Sequence, residues 1–350
     1  MTLAAGTVGG AGTEVALRAV LRGRPTGGST AIVPAAFAAA AEGSGWRVSA
    51  GSRAAAVLRE VAGVPRSAVW IGFCDRLPLL PRPGTTSVLV VQNPHLYAPI
   101  DPAWPWRQRA KLRLLSAWAR HSARRADLIV CSTPASAGDV AASARVDVAG
   151  IAVLPIPATG ITSTKASQAD DVRRILMVGD VYPYKRLADG ADAVTAYARS
   201  AGRPVTLVHV GTVRDAAAGD AFAVALERAA AAGVAVERRG SVPHDEVIAE
   251  MARADLLLLP SLTETQGLPL VEAHAVGLPV VCRDIGPFRD LGGDAVARFD
   301  VDAGAEGIAD ALRSVDDPAV RAGLAQRGRA LHPPADHWAI LDLVAQLPRD

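Results

Sequence analysis

Two glutamates with seven residues between them, Glu264 and Glu272, offer the most chemistry in this 350-residue sequence. They lie in residues 256–289, LLLLPSLTETQGLPLVEAHAVGLPVVCRDIGPFR. An apolar run ends at Pro260, a polar loop follows, and after Gly267 the pattern predicts a helix from about residue 268 to 275. Gly277-Leu278-Pro279 then opens a second apolar run. Glu264 falls in the loop and Glu272 about one turn into the helix. If the runs are strands of a doubly wound sheet, both acids lie at a carboxyl end, where such sheets bind ligands. A helix N-terminus at Gly267-Leu268 presents backbone N–H groups and the positive end of the helix dipole, which suit a phosphate. A carboxylate one turn further in can accept two hydrogen bonds from a ribose diol, and a loop carboxylate can accept from sugar hydroxyls. An isolated pair of glutamates reads most simply as surface acids. The frame of strand, loop, glycine and helix reverses that reading.

The elements that must position these residues alternate along the whole chain. Strands are predicted at residues 2–7, 31–34, 47–50, 69–73, 87–91, 128–131 and 151–153. A second series runs 174–178, 205–210, 235–238, 256–259 and 280–282. Most are continuous apolar runs without alternation, as expected of parallel strands covered on both faces. Helical stretches lie between them, so the expected class is α/β, doubly wound twice over. Residues 154–172 open with Pro155 and Pro157, show no periodicity and read as a linker. The expected division is therefore a first domain of residues 1–154, a linker of 155–172 and a second domain of 173–334, with a C-terminal helix over 335–350.

Composition narrows the function classes. Half of the residues are hydrophobic and 21% are charged, which excludes a disordered chain. Three scattered cysteines, Cys74, Cys131 and Cys282, make no metal spacing and no disulfide framework, as in a reducing cytosol. No apolar run approaches the ~18 residues of a membrane span, and the N-terminus has no basic signal-peptide region. A cytoplasmic protein is expected. The net charge of +2 conceals an asymmetry: residues 1–158 hold 17 Lys+Arg against 8 Asp+Glu, whereas residues 159–350 hold 20 against 27. A basic half either meets something anionic or attracts its acidic neighbour.

The 256–289 segment resembles the donor-binding motif of retaining GT-B glycosyltransferases of family four (glycosyl transferases group 1). The matching residues are Pro260-Ser261, Glu264, Gly267-Leu268-Pro269, Glu272-Ala273 and Gly277-Leu278-Pro279-Val280-Val281. A second block, residues 175–179 (ILMVG) followed by Tyr182-Pro183-Tyr184-Lys185-Arg186, is similar to the family's second phosphate site. The resemblance implies that Lys185 neutralises the donor diphosphate. Lys185 is one of three lysines in a chain with 34 arginines. Where the family often has Arg after the strand glycine, this chain has Asp180, so either Asp180 points away and Arg186 substitutes or donor affinity is weak. Thr265-Gln266 replace the usual Gly-Phe after the first Glu and would alter the sugar pocket. Arg239-Gly240-Ser241-Val242-Pro243 resembles the turn whose backbone at Val242 reads the nucleobase. The C-terminal run 335–347, with Trp338, is similar to the last helix of GT-B enzymes, which returns to the first domain.

The first half matches more loosely. Gly9-Gly10-Ala11-Gly12 lies between a short strand and an amphipathic helix, where the resemblance places the glycines against the donor phosphate; a tight turn is the plainer reading. Gln92-Asn93-Pro94-His95 ends a buried strand, and the resemblance makes His95, or Gln92 by a shifted offset, the residue that contacts the transferred sugar. His274 reads as helix packing. Residues 107–125 hold seven Lys/Arg and no acid, with Leu112, Leu115, Ala119, Ala123 and Ala126 on one face. They form either a core-packed helix with a solvated basic face or, with Trp118, a helix lying on an anionic membrane at the inner face.

The resemblance implies a GT-B fold, two Rossmann-like domains facing across a cleft, and transfer of a sugar from a nucleotide-diphosphate sugar to a saccharide or lipid-linked saccharide with retention. Lys185, Arg186 and the helix N-terminus would stabilise the departing diphosphate, Glu272 would hold ribose, Glu264 the sugar, and His95 would share the developing charge. No metal, no separate cofactor and no nucleic-acid partner are expected. A sugar-nucleotide epimerase of the same fold and a non-catalytic glycan-assembly subunit remain as alternatives. A Rossmann dehydrogenase does not fit, because Val15 stands where its third glycine belongs.

Overall fold

Strands buried on both faces need apolar side chains at odd and even positions alike, and this requirement shapes both sheets. The computed structural model describes every residue except 6–10, 24, 26, 52–68, 74, 80–83, 101–105, 166–169 and 348–350. Contacts divide the chain into two units, Met1–Ile156 with Asp336–Asp350, and Pro157–Ala335.

In the first unit β1 (Thr2–Ala4), α1 (Ala11–Leu21), β2 (Thr30–Pro34), α2 (Ala38–Gly43), β3 (Arg47–Gly51), β4 (Val69–Gly72) and β5 (Thr86–Val90) precede the long α3 (Trp106–Arg125). Then come β6 (Leu128–Cys131), α4 (Pro134–Ala144) and β7 (Ile151–Val153). The strands pair in parallel in the order β3-β2-β1-β4-β5-β6-β7. The start of α4 illustrates local coding: Thr133 Oγ1 accepts the Ser136 N–H at 3.1 Å and Pro134 occupies the first turn.

The second unit runs β8 (Arg174–Val178), α5 (Leu187–Ala201), β9 (Thr206–Val210), α6 (Ala216–Ala231), β10 (Ala235–Gly240), α7 (His244–Arg253) and β11 (Leu256–Leu259). It continues through α8 (Leu268–Val276), β12 (Val280–Arg283), α9 (Gly286–Gly292), β13 (Val296–Phe299), α10 (Ala305–Arg313) and α11 (Pro318–Leu331). The order is β10-β9-β8-β11-β12-β13, again all parallel. Alternate residues of one strand enter opposite cores. Ile175, Met177, Leu256 and Leu258 pack on one face of the sheet, and Leu176, Leu257 and Leu259 on the other.

Three local readings change. The edge strand β13 was not predicted, because Arg298 interrupts its short apolar run. The first strand is described only as Thr2–Ala4. Among the described residues of the C-terminal run only α12 (Ile340–Ala345) is helical, and Pro333 and Pro334 separate it from α11. Ahead of α12, the buried Trp338 donates its backbone N–H to the Ala19 carbonyl at 3.1 Å and packs its ring edge-on against Phe73. Cys131 and Cys282 are buried free thiols; Cys74 lies outside the described residues.

Candidate functional site

The strand order of the second unit reverses between β8 and β11, so a crevice opens outside their carboxyl ends. Both Lys185 and Glu264 follow these two strands. Beyond β8, Gly179 has φ 140°, and Gly211 beyond β9 has φ 148°. A Cβ on Gly211 would lie 2.1 Å from the Gly179 carbonyl oxygen, so only glycine lets these strand ends meet. His209 donates from Nε2 to the same oxygen at 2.9 Å. The chain then makes a 3-10 turn, Pro183–Lys185, and enters α5 through Arg186 in the left-handed region at φ 51°. The Lys185 stem lies over the bare face of Gly179, where a Cβ would sit 3.5 Å from its Cε. Its Nζ donates to Glu264 Oε1 at 2.5 Å, and the two side chains are only 14% and 13% exposed. The ammonium and the loop carboxylate thus form a short charge-assisted bond across the switch point.

The second acid is also partnered. Glu272, in the second turn of α8 and 4% exposed, has Oε1 2.7 Å from His244 Nε2. His244 opens α7 directly after the turn 241–243, so the turn that contains Val242 and the carboxylate of Glu272 come to one place. Sequence reasoning missed His244. A histidine after Pro243 and before two acids is ordinary for a helix start, and only the fold joins it to a residue 28 positions on. The N-terminus of α8 has no side-chain cap. Its N-cap, Gly267, has φ 81°, and a Cβ there would meet Phe288 Cε1 at 2.3 Å. Leu268 and Gln266 are buried beside it, Thr265 is half-buried, and half-buried Val242 packs on the same core as Leu270.

Asp180 faces away from Lys185. It accepts from the Thr212 N–H and Oγ1 and from Arg214 Nε, each at 2.9 Å. Burial pushes its carboxyl up, but the Thr212 N–H and the Arg214 guanidinium outweigh burial and hold it below the ordinary value. Arg186 pairs instead with Asp189 at 2.8 Å on the solvent side of the α5 start. An exposed pair of this kind contributes about 0.3–0.5 kcal/mol, so it holds Arg186 only loosely.

In the first unit His95 sits in a 3-10 turn, Pro94–Leu96, just beyond β5, and its N–H donates to Asn93 Oδ1 at 3.1 Å. Gly9 and Gly10 lie outside the described residues. On α3, Ala119 and Ala123 are buried in the core, with Leu112, Leu115 and Ala126 packed on it. Trp118 does not join an outward basic face: its Nε1 donates to the Leu77 carbonyl at 2.9 Å and Arg76 stacks over its ring. The outward apolar side chains are Trp106 and Leu114, 71% and 73% exposed, with Arg107, Lys111 and Arg113 also exposed. His274 is fully buried and stacks on His332 at 5.3 Å; burial, then the neighbouring His332, pushes it down to about 3. Among the described residues no group of three His, Cys, Asp or Glu is arranged to hold a metal, and no helix is long and apolar enough to cross a membrane.

A family model described as "Glycosyl transferases group 1" matches residues 162–330, which contain Lys185, His244, Glu264 and Glu272. Over these residues the chain belongs to that family. The matched residues all fall within the second unit. Among curated proteins, a 2-deoxystreptamine N-acetyl-D-glucosaminyltransferase of Streptomyces fradiae is 28% identical over 59% of this chain and 52% of its own length. The chain matches about half, or less, of the length of the curated relatives, down to 17% for one of them. Among solved structures, HepE of Anabaena, crystallised with UDP and glucose, superposes with a TM-score of 0.71 at 16% identity, covering 99% of both chains. WaaG, a glycosyltransferase involved in lipopolysaccharide biosynthesis, gives 0.67 at 16% identity over 98% of both chains. The fold of the chain is therefore GT-B, with two parallel α/β sheets of seven and six strands.

Proposed function

We propose that the chain is a retaining glycosyltransferase that moves a hexose from a uridine diphosphate sugar to a saccharide or lipid-linked saccharide. The observation that carries this reading is the set of groups at the β8/β11 switch point: Lys185, Glu264, the uncapped start of α8 and the Glu272–His244 pair. In this reading the second unit takes the donor and the first takes the acceptor. Lys185 and the α8 N-terminus carry the diphosphate charge as it develops. Glu264 accepts from a sugar hydroxyl while its other oxygen keeps Lys185 aligned. Glu272, oriented by His244, accepts from the ribose hydroxyls, and the 241–243 turn lies against the base. His95 contacts the transferred sugar. Uridine is favoured because the HepE structures hold UDP, and a hexose because the relatives named above transfer or bind one. Asp180 does not oppose diphosphate, since Arg214 and Thr212 occupy it.

Calorimetric titration with UDP, GDP, ADP and dTDP tests the donor site, and the expected result is selective binding of UDP. Binding of none by folded protein overturns the reading. Retention is read by NMR of the product formed from a UDP-α-hexose, which must be the α-anomer. The outward face of α3, where Trp106 and Leu114 stand among Arg107, Lys111 and Arg113, supports an acceptor at an anionic lipid surface. Flotation with anionic and with neutral vesicles tests this: only the anionic ones should carry the protein, and salt or Trp106→Ala should weaken it. Equal flotation with both removes the membrane contact.

A further inference from the structure

A buried carboxylate sits beneath the loop that carries His95. Asp75 follows β4, is 2% exposed and has a left-handed backbone at φ 59°. For an aspartate that conformation costs on the order of 1 kcal/mol, and it persists only where its surroundings over-determine it. Here they do. A Cβ on Gly72 would lie 2.2 Å from the Arg76 carbonyl oxygen, so the turn is as tight as the chain allows. From α3, Ser122 Oγ accepts the Leu77 N–H at 3.0 Å, and Trp118 Nε1 donates to the Leu77 carbonyl. Fixed in this way, Asp75 Oδ1 accepts the N–H groups of Gln92 at 3.0 Å and Asn93 at 3.3 Å. Its own N–H donates to the Val90 carbonyl at 3.3 Å. Asn93 in turn accepts the His95 N–H. One aspartate therefore holds the chain where it leaves β5.

We propose that Asp75 is the positioning residue of the 92–95 loop, setting the path on which Gln92 and His95 are presented at the carboxyl end of β5. Its effect on turnover rests on the reading of that loop as the sugar contact; its effect on the loop does not. The groups that face Asp75 are Arg76 beside it, Tyr97 from the turn after His95, and Cys131 at the end of β6. Arg120 of α3 stands by Tyr97, and Asp139 of α4 by Cys131. Burial dominates at Asp75 and pushes its carboxyl up to about 7 against the two loop N–H groups and Arg76. Burial also raises Tyr97, and raises Cys131 to about 12, so neither titrates with it. Ionised Asp75 makes charge-assisted bonds to the loop, and protonated Asp75 makes weaker ones. The sign for stability is opposite: a carboxyl raised in the folded state costs stability as pH rises through about 7.

NMR of the full-length ¹⁵N-labelled protein tests the proposal between about pH 5.5 and 8.5, with kcat measured on a UDP-hexose in parallel. The Gln92 and Asn93 amides should shift together with one midpoint near neutrality, and Asp75→Asn should abolish that inflection. A histidine ordinarily titrates near 6.5, so this isosteric variant also separates Asp75 from His95. The wild-type kcat should fall about tenfold per pH unit below the midpoint, and the variant should lose that limb while UDP affinity stays within about twofold. In Asp75→Ala the same two amides should exchange at least about tenfold faster. Amides that do not titrate in the wild type, or that titrate identically in Asp75→Asn, overturn the proposal. If the amides titrate as expected but no nucleotide sugar turns over, the donor reading fails and the positioning role stands.

Discussion

At the carboxyl ends of β8 and β11, four ionisable side chains are joined in two pairs, Lys185–Glu264 and His244–Glu272. At the carboxyl ends of β4 and β5 a single carboxylate, Asp75, is held by backbone N–H groups. The two sheets share one strand order around the switch point, but β4 and β5 lie one strand beyond the β1/β4 switch, so the two places differ in position as well as in partners. A side chain paired with another side chain can exchange its partner for a phosphate or a hydroxyl by turning a few torsions. A carboxylate bound to backbone amides can let go only if the loop moves. The first arrangement suits groups that bind, the second a group that shapes what binds.

The sharpest way to break the comparison is to remove one of the exchangeable charges. Lys185→Ala should lower kcat by about a hundred- to a thousandfold, the size expected for deleting one preorganised donor on a developing anion. A variant with wild-type kcat and lowered thermal unfolding would show that Lys185 pairs with Glu264 for structure alone. Gly267→Ala acts on the frame and not on the charges. The added methyl meets Phe288 in a left-handed position, so a loss of about 2–4 kcal/mol in denaturant unfolding is expected. An unchanged midpoint there means the α8 start is not the fixed element described.

Glu272→Ala should weaken UDP by about ten- to a hundredfold, the worth of about 1.5–3 kcal/mol for hydrogen bonds to a charged group. His244→Ala should weaken it less, because His244 orients the acid without itself being the acceptor. Equal losses in calorimetry would make the histidine a direct ligand. The smallest effect concerns the His274–His332 stack, which is neither exchangeable nor shaping. Burial holds both rings neutral by pushing their pKa values down. Their folded values lie below the unfolded one, so stability is complete above about pH 6.5 and falls below it, by about 1.4 kcal/mol per pH unit for His274. Urea unfolding of His274→Leu at about pH 5 and 7 should show this acid loss reduced; the same loss in both proteins places its origin elsewhere.

The difference between the two regions also explains what could be read from the sequence. Strands β8, β11 and β12 were legible because two apolar cores demand unbroken runs, and Glu264, Gly267 and Glu272 were legible because their spacing follows one strand–loop–helix unit. The bond from Lys185 to Glu264 spans 79 positions and that from His244 to Glu272 spans 28, so no local pattern announces either. Asp75 was invisible for a different reason. Nothing in a short run such as Phe73-Cys74-Asp75-Arg76 states that the carboxylate will be buried under a loop. For Trp118 the sequence left two readings of the helix open, because an amphipathic wheel gives the direction of a side chain, not the carbonyl of Leu77 that draws its indole inward.

The first unit is assembled from both ends of the sequence. Trp338 is made more than 300 residues after Ala19, whose carbonyl accepts its N–H, and it closes over Phe73. During synthesis, domains ordinarily fold in the order they emerge. Here the unit that begins first must wait for the other to be made before its last core side chains, Trp338 and those of α12, arrive. A nascent chain stalled after residue 335 therefore carries a complete second unit and a first unit that still lacks the Trp338 ring over Phe73.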